Sequence, residues 1–409
     1  MDTTQHEDIS DVSALNLALL VLEPRSWINR RVEQVGYLDE KTVRRRITID
    51  FTVPRFEDGS ESLPYVPVAQ LAKHKLVNFD LRDASGSALP MLTAEHNERL
   101  SSSLLLAVAR RVGGDDVDSI TEKYIPKLVG GTPDEREFAW RRIFPPDGPV
   151  GDRLLEISWL KTLATEVRNN FILYMPIGAW DSGARRIIKL AFEAPRPAVD
   201  PKGLTARLGW RDVPDSFEVP LAGYCGSYHF EVEAPPEMEV TSGTFDGTQN
   251  GDSVQDFISS PTRRAHFNLS GLDRSSGLVT VLLRAHSRDL LGGAALFSAL
   301  NALVLLFVFL RLSEFVNENG IDAVVATLLV IPGLLVGYVA RPSEHALLTS
   351  FLTGLRLIAM TSAGTSYAGA LVLFAGYHEH VLRIVIGSLF VIALLMSLAL
   401  IRTWAGRVR

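Results

Sequence analysis

Four long uncharged apolar runs dominate the last third of this chain, at 290–310, 323–340, 357–377 and 384–401. Each approaches or exceeds the ~20 residues with which an α-helix crosses the ~30 Å hydrocarbon layer of a bilayer. Helices without charge on any face have no side suited to water, and a soluble core does not account for four in succession. The runs predict a four-helix transmembrane bundle over 289–409, joined to a region of ordinary mixed composition.

Charge separates the two parts. Residues 289–409 hold seven Arg and six Asp plus Glu, so the total of −6 leaves residues 1–288 at −7. An acidic region argues against nucleic acid as a partner, since phosphate neutralisation needs clustered Lys and Arg. The single cysteine, Cys225, excludes an internal disulfide framework and a cysteine-built zinc site. Arg greatly outnumbers Lys, the pattern of a GC-rich, bacterial coding sequence.

Residues 17–22 are apolar but short, and Asp2, Glu7, Asp8 and Asp11 precede them where an export signal carries positive charge. A buried strand or helix is expected there, and the N-terminal region should stay in the cytoplasm. Arginine placement agrees. That orientation puts Arg284, Arg288, Arg341, Arg356, Arg402, Arg407 and Arg409 inside, with only Arg311 and Arg383 outside. Four crossings then leave both termini cytoplasmic.

The soluble region reads as α+β, sandwich-like, with a helical insert. The expected divisions are a β-rich section over 1–93, helices over 94–168, a second β-rich section over 169–288, and the membrane module over 289–409. Ile47, Ile49, Phe51 and Val53 alternate with polar residues, the period-2 signature of a half-buried strand. Residues 76–82 and 88–92 form a second strand pair across a turn, with Asp80 and Asp83 as turn and surface residues. Thr132-Pro133-Asp134-Glu135 is a capping box with proline at the first helical position, predicting a helix to about Ile143. Further helices are expected over 95–112, 117–124 (ending before Pro126) and 154–167. Strands follow over 171–177, 186–194, 228–234, 265–269 and 278–284. The stretches 45–54 and 185–195 resemble one another, through duplication or chance. Residues 242–260, rich in Gly, Ser, Thr, Asp and Asn, are expected to form a long polar loop.

Chemical motifs are sparse. No phosphate-binding glycine loop, HExxH helix or paired-cysteine site occurs, and no cofactor, metal site or catalytic set is predicted. Cys225 and His229 are a conceivable nucleophile and base, yet four residues along a strand separate them by about 13 Å. In the membrane runs, Ser362, Ser366 and Ala370, with Gly364 and Ala368 beside them, form small-xxx-small ridges for close helix packing.

Three membrane residues stand out as functional candidates. Asn301 is a polar side chain midway along the first run. Pro332 should kink the second. Arg356 lies at the cytoplasmic interface if the third helix starts at Leu357, and roughly 15 Å deep if it starts at Ala346; the interface is preferred. Arg284 and Arg288 flank the short junction into the first run, positioned to meet anionic lipid headgroups at about 1 kcal/mol each.

These observations predict a non-enzymatic multi-pass membrane protein whose cytoplasmic β-rich region senses a ligand or partner. An oligomeric channel or effector gated by that region is the alternative, and a membrane-bound hydrolase a second one. Expected partners are membrane lipids and, through the helices, further copies of the chain.

Overall fold

The computed structural model describes residues 11–55, 65–73, 77–113, 119–145, 154–176, 183–197, 212–249, 252–258, 260–273, 277–285, 288–317, 321–339 and 345–408. It is α+β, with a β-rich N-terminal region and C-terminal helices.

The strands are β1 (Ile28–Tyr37), β2 (Thr42–Thr52), β3 (Tyr65–Ala72), β4 (Val77–Asp83), β5 (Asn170–Pro176), β6 (Arg185–Pro195) and β7 (Val213–Val219). They continue with β8 (Ser227–Glu233), β9 (Met238–Gln249), β10 (Asp252–Ile258), β11 (Arg264–Ser270) and β12 (Gly277–Ala285). A six-stranded sheet has the order β11-β8-β1-β2-β6-β4, and a four-stranded sheet the order β10-β9-β12-β7. Strands from both β-rich segments therefore share one sheet. Every pairing is antiparallel except β1 with β8. The look-alike stretches are β2 and β6, which pair with each other, Thr42 opposite Pro195 and Thr52 opposite Arg185.

Period-2 patterning decides which way each strand faces. In β8, Tyr228, Phe230 and Val232 are buried while Ser227, His229, Glu231 and Glu233 point outward. Both sheets feed one apolar core, where the rings of Phe217 on β7 and Phe230 on β8 lie 6.0 Å apart. A separate core joins α1 (Asp11–Leu22), α2 (Ala94–Gly113), α3 (Ser119–Gly130), α4 (Pro133–Ile143) and α5 (Leu154–Asn169) to the two-stranded sheet β3-β5. The capping box is formed: Thr132 accepts from the Glu135 amide, and Glu135 accepts from the Thr132 amide at 2.9 Å.

Several local expectations need correction. Helix α3 does not stop before Pro126 but carries it inside, because Ile125, Leu128 and Val129 are buried in the helical core. That packing offsets the ~3 kcal/mol a mid-helix proline costs. Residues 88–92 add only an isolated bridge, Ala88 to Arg82. The polar stretch expected as a loop instead supplies strands: 242–249 and 252–258 pair in β9 and β10, Gln249 opposite Asp252.

The C-terminal part contains α6 (Arg288–Leu310), α7 (Leu312–Asn317), α8 (Ile321–Val339), α9 (Ala346–Phe374) and α10 (Glu379–Val408). Among the described residues, three stretches are long and apolar enough to cross a membrane: Gly292–Leu310, Leu352–Phe374 and Glu379–Ala405. The expected four are thus reduced to three there. Within α8 the apolar stretch that is described is the shorter Ile321–Leu334. The third helix also begins earlier than preferred, at Ala346 and not Leu357, and runs unbroken for 29 residues.

Leu296, Leu300, Leu303, Phe307 and Leu310 form an exposed apolar stripe at helical spacing along α6, while Ser298, Asn301, Ala302 and Leu305 on the other side are buried. Apolar outside and polar inside is the arrangement suited to lipid.

Candidate functional site

The β region and the helices meet where β1 ends and α9 begins. His345 is the N-cap of α9, with an extended backbone. Its Nδ1 accepts from the Leu347 amide at 3.2 Å, and its Nε2 lies 3.1 Å from the Tyr37 carbonyl oxygen. With Nδ1 accepting, Nε2 is the nitrogen that faces the Tyr37 carbonyl as donor. One side chain thus satisfies an orphan helix amide and ties the helix to the last residue of β1.

The ring of Tyr37 leads inward to a buried ion pair. Its hydroxyl donates to Asp215 Oδ2 at 2.8 Å, and Asp215 is fully buried on β7. Arg196 grips the same carboxylate with two hydrogen bonds, at 2.8 and 2.7 Å, and stacks 5.7 Å from the Tyr37 ring. Burial, reinforced by the Asp215 charge, holds the Tyr37 phenol well above its ordinary pKa and keeps it a donor. Asp215 sits opposite Val281 of β12, the strand that runs toward α6. The Tyr37–Asp215–Arg196 cluster therefore connects both sheets to both routes into the helices.

Packing extends the same junction. Leu347, Leu348, Leu352, Leu355 and Ala359 of α9 belong to the core of the β region, together with Ala294 and Ala295 of α6. At ~1.5 Å per residue α9 is about 43 Å long, well beyond a ~30 Å hydrocarbon layer. Arg356 is partly buried in its third turn, four residues into the apolar stretch that starts at Leu352.

Deeper in the bundle, α6 and α9 are joined by a closed polar knot. Asn301 Nδ2 donates to the Ser362 carbonyl at 2.6 Å and to Thr365 Oγ1 at 3.2 Å, while its Oδ1 accepts from Ser366. The hydroxyls of Ser298 and Ser362 are 2.7 Å apart. Ser298, Asn301, Ser362 and Ser366 have no solvent exposure. Ser362, Ser366 and Ala370 form the expected small ridge; Gly364 beside them is exposed. Gly369 faces Leu305, Leu328 and Ile386, where α6, α8 and α10 converge on α9. Pro332 is buried inside α8, whose helix continues through it.

Arg284 forms a two-point ion pair with Asp212, at 2.7 and 3.1 Å, which Thr241 buttresses at 2.7 Å. Its charge is thereby engaged within the β region. Arg288 opens α6, and its side chain lies outside the described residues.

The outward faces of β8 and β11 hold a row the sequence reading missed. Ser227 Oγ is 3.1 Å from His229 Nε2, His229 Nδ1 is 3.0 Å from His266 Nε2, and His266 Nδ1 is 3.6 Å from Glu231. Partial burial, with Arg30 and His266 nearby, pulls the His229 pKa down. Its signal was the Ser-x-His-x-Glu alternation on a strand. Cys225 takes no part: its buried thiol donates to the Ser227 carbonyl at 3.3 Å, and burial pushes its pKa up to about 11. Among the described residues, no group of three or more His, Cys, Asp or Glu is arranged to hold a metal.

A cavity of about 250 Å³ opens beside Tyr37, over Gly36, at the ends of β1 and β8 and the starts of β2 and β11. Arg44, Arg46, Arg263 and Arg264 line it, with Glu231 and Glu233. The same end of the sheets faces the C-terminal helices, where Tyr37 meets His345 and where β12 finishes at Ala285, opposite Met238.

No protein-family model matches the chain, and comparison with curated proteins returns no match.

Proposed function

We propose that this chain is a multi-pass membrane protein whose cytoplasmic β-rich region binds a ligand or protein partner, without catalysis, and passes its bound state to the membrane helices. The observation that carries this reading is α9, one unbroken helix with its first turns in the β-region core and its remainder in the bundle. A rigid helix transmits displacement along its axis, whereas a flexible linker absorbs it.

Other features support the same reading. The ring contact between Phe217 and Phe230 suits a face-to-face packing of the two sheets. Because α9 starts on the β region, α8 has to bring the chain back to that side after α6 leaves it, although its apolar stretch is the shortest. Both termini then lie in the cytoplasm, in keeping with the arginine bias. Arg311 and Arg383, the two outward arginines, are paired with Glu314 and Glu379. The sealed Asn301 knot favours an anchor and relay over a conducting path within one chain. Lipid is the partner for the apolar stripe of α6, and a second copy of the chain would use the same kind of surface.

The test perturbs the β region and reads the helix. Asp215→Asn in the full chain, reconstituted in nanodiscs, is expected to speed amide exchange in residues 347–355 of α9. Unchanged exchange there, with local change around Tyr37, would contradict a relay. A reporter fused after the C-terminus is expected to be active only in its cytoplasmic form.

A further inference from the structure

The geometry points to an anion-binding site for a phosphate-bearing group in the cleft over Gly36, at the membrane-facing end of the six-stranded sheet. The site deepens the sensing reading by naming the ligand chemistry.

Charge in the cleft opposes that of its surroundings. Residues 1–288 sum to −7, yet four guanidinium groups line this cavity against two carboxylates. Both carboxylates are already engaged. Glu233 faces Arg264 at 3.4 Å and Arg263 at 3.9 Å, and Glu231 accepts from Gln34 at 2.7 Å. Arg44 and Arg46, two apart on β2, project from the same face, and no side-chain ion pair or hydrogen bond engages either among the described residues. The Nε–H of Arg44 is shielded from solvent and unsatisfied. A buried donor without an acceptor is costly, and a phosphate oxygen is the acceptor that guanidinium geometry matches best.

Shape and position agree with charge. Gly36 lies directly between Arg44 and Glu233 in the strand register, and a Cβ built on it meets nothing within 4 Å. The missing side chain leaves room for the group, and the cavity of about 250 Å³ fits a phosphate with its ester carbon. Exposed Leu38 is on the rim, next to the Tyr37 carbonyl that caps α9 through His345. A lipid headgroup or a soluble phosphate compound presents the same chemistry here.

Two measurements on the full chain separate these sources. One is the enrichment of phosphatidylglycerol over phosphatidylcholine around protein in mixed nanodiscs; the other is pyrophosphate affinity in pure phosphatidylcholine nanodiscs. Enrichment alone assigns the site to lipid, and pyrophosphate binding assigns it to a soluble anion. In either case Arg44→Ala/Arg46→Ala should weaken binding about tenfold or more. Gly36→Val, which fills the cleft and keeps every charge, should do the same. Arg30→Ala, at the far end of the same sheet face, should leave binding intact. Absence of both kinds of binding overturns the proposal, as does binding that survives Gly36→Val. Because binding is read directly, a failed relay through α9 leaves this outcome unaffected.

Discussion

His345 Nε2 lies 3.1 Å from the carbonyl oxygen of Tyr37, a residue 308 positions away in the chain. This contact joins the last residue of β1 to the first turn of a helix that continues into the bundle. The same imidazole caps the Leu347 amide, so helix start and domain contact depend on one side chain.

The two roles are separable by mutation. His345→Asn keeps a good N-cap residue but is too short to reach Tyr37, whereas His345→Ala removes both. Amide exchange at Leu347 and Leu348 should rise strongly in His345→Ala, which forfeits about 1 kcal/mol of capping. It should rise less in His345→Asn. Equal effects would show that the cap contributes nothing.

Asp215 is the buried centre of the junction. Asp215→Ala strands Arg196, and breaking a buried pair typically costs about 3–5 kcal/mol. Tyr37→Phe removes one hydrogen bond to the same carboxylate and should cost about 1 kcal/mol. Urea unfolding followed by tryptophan fluorescence checks the ranking. A milder effect from Asp215→Ala than from Tyr37→Phe would contradict it.

How much of this was readable beforehand depended on how local the signal was. The capping box at Thr132 was legible because all its partners lie within four residues. The apolar helices were legible because lipid demands long uncharged runs. The β9–β10 hairpin was misread from composition, although Asn250-Gly251 between the strands is a strong hairpin pair. Asp215 was missed because its partners come from Tyr37 and Arg196, far apart in sequence. Its one local signal is a carboxylate in the apolar row Val213, Asp215, Phe217, Val219. The start of α9 was misplaced because a run from Ala346 to Tyr377 overshoots one bilayer, whereas its first turns are packed into the β-region core. Asn301 stands out in the sequence as a polar residue in an apolar run, but its serine partners appear only once α6 and α9 pack.

Asn301 should matter for helix association more than for insertion. Asn301→Leu leaves Ser366 without its acceptor and crowds Ser362, and hydrogen bonds of this kind contribute about 0.6–1.7 kcal/mol in membranes. Unfolding in detergent should shift by about 1–2 kcal/mol with membrane insertion unchanged. A stabilised variant would show that the knot is not a packing element.

Lys73 gives the β region a pH dependence. Burial, then the Arg136 charge, lowers its pKa to about 8, while its ammonium donates to the Val129 and Val167 carbonyls. The folded pKa lies below the unfolded value of about 10.4, so the unfolded chain binds more protons between these limits. Lys73 should therefore oppose folding below pH 8, with that penalty relieved as pH rises toward about 10. The difference in urea midpoint between wild type and Lys73→Met measures this at pH 8 and pH 10. A gap that does not change between the two pH values would refute it.

The most direct test of the central claim is the distance between the β region and the exposed apolar part of α9. Spin labels at Arg30, exposed on β1, and Met360, exposed on α9, report it in nanodiscs by pulsed electron resonance. A ten-residue Gly/Ser segment inserted after His286 removes the short β12–α6 junction as a constraint. If α9 locks the two parts together, the distance distribution stays single and narrow with the insertion present. A distribution that broadens to that of a tethered body would show that α9 carries no rigid connection.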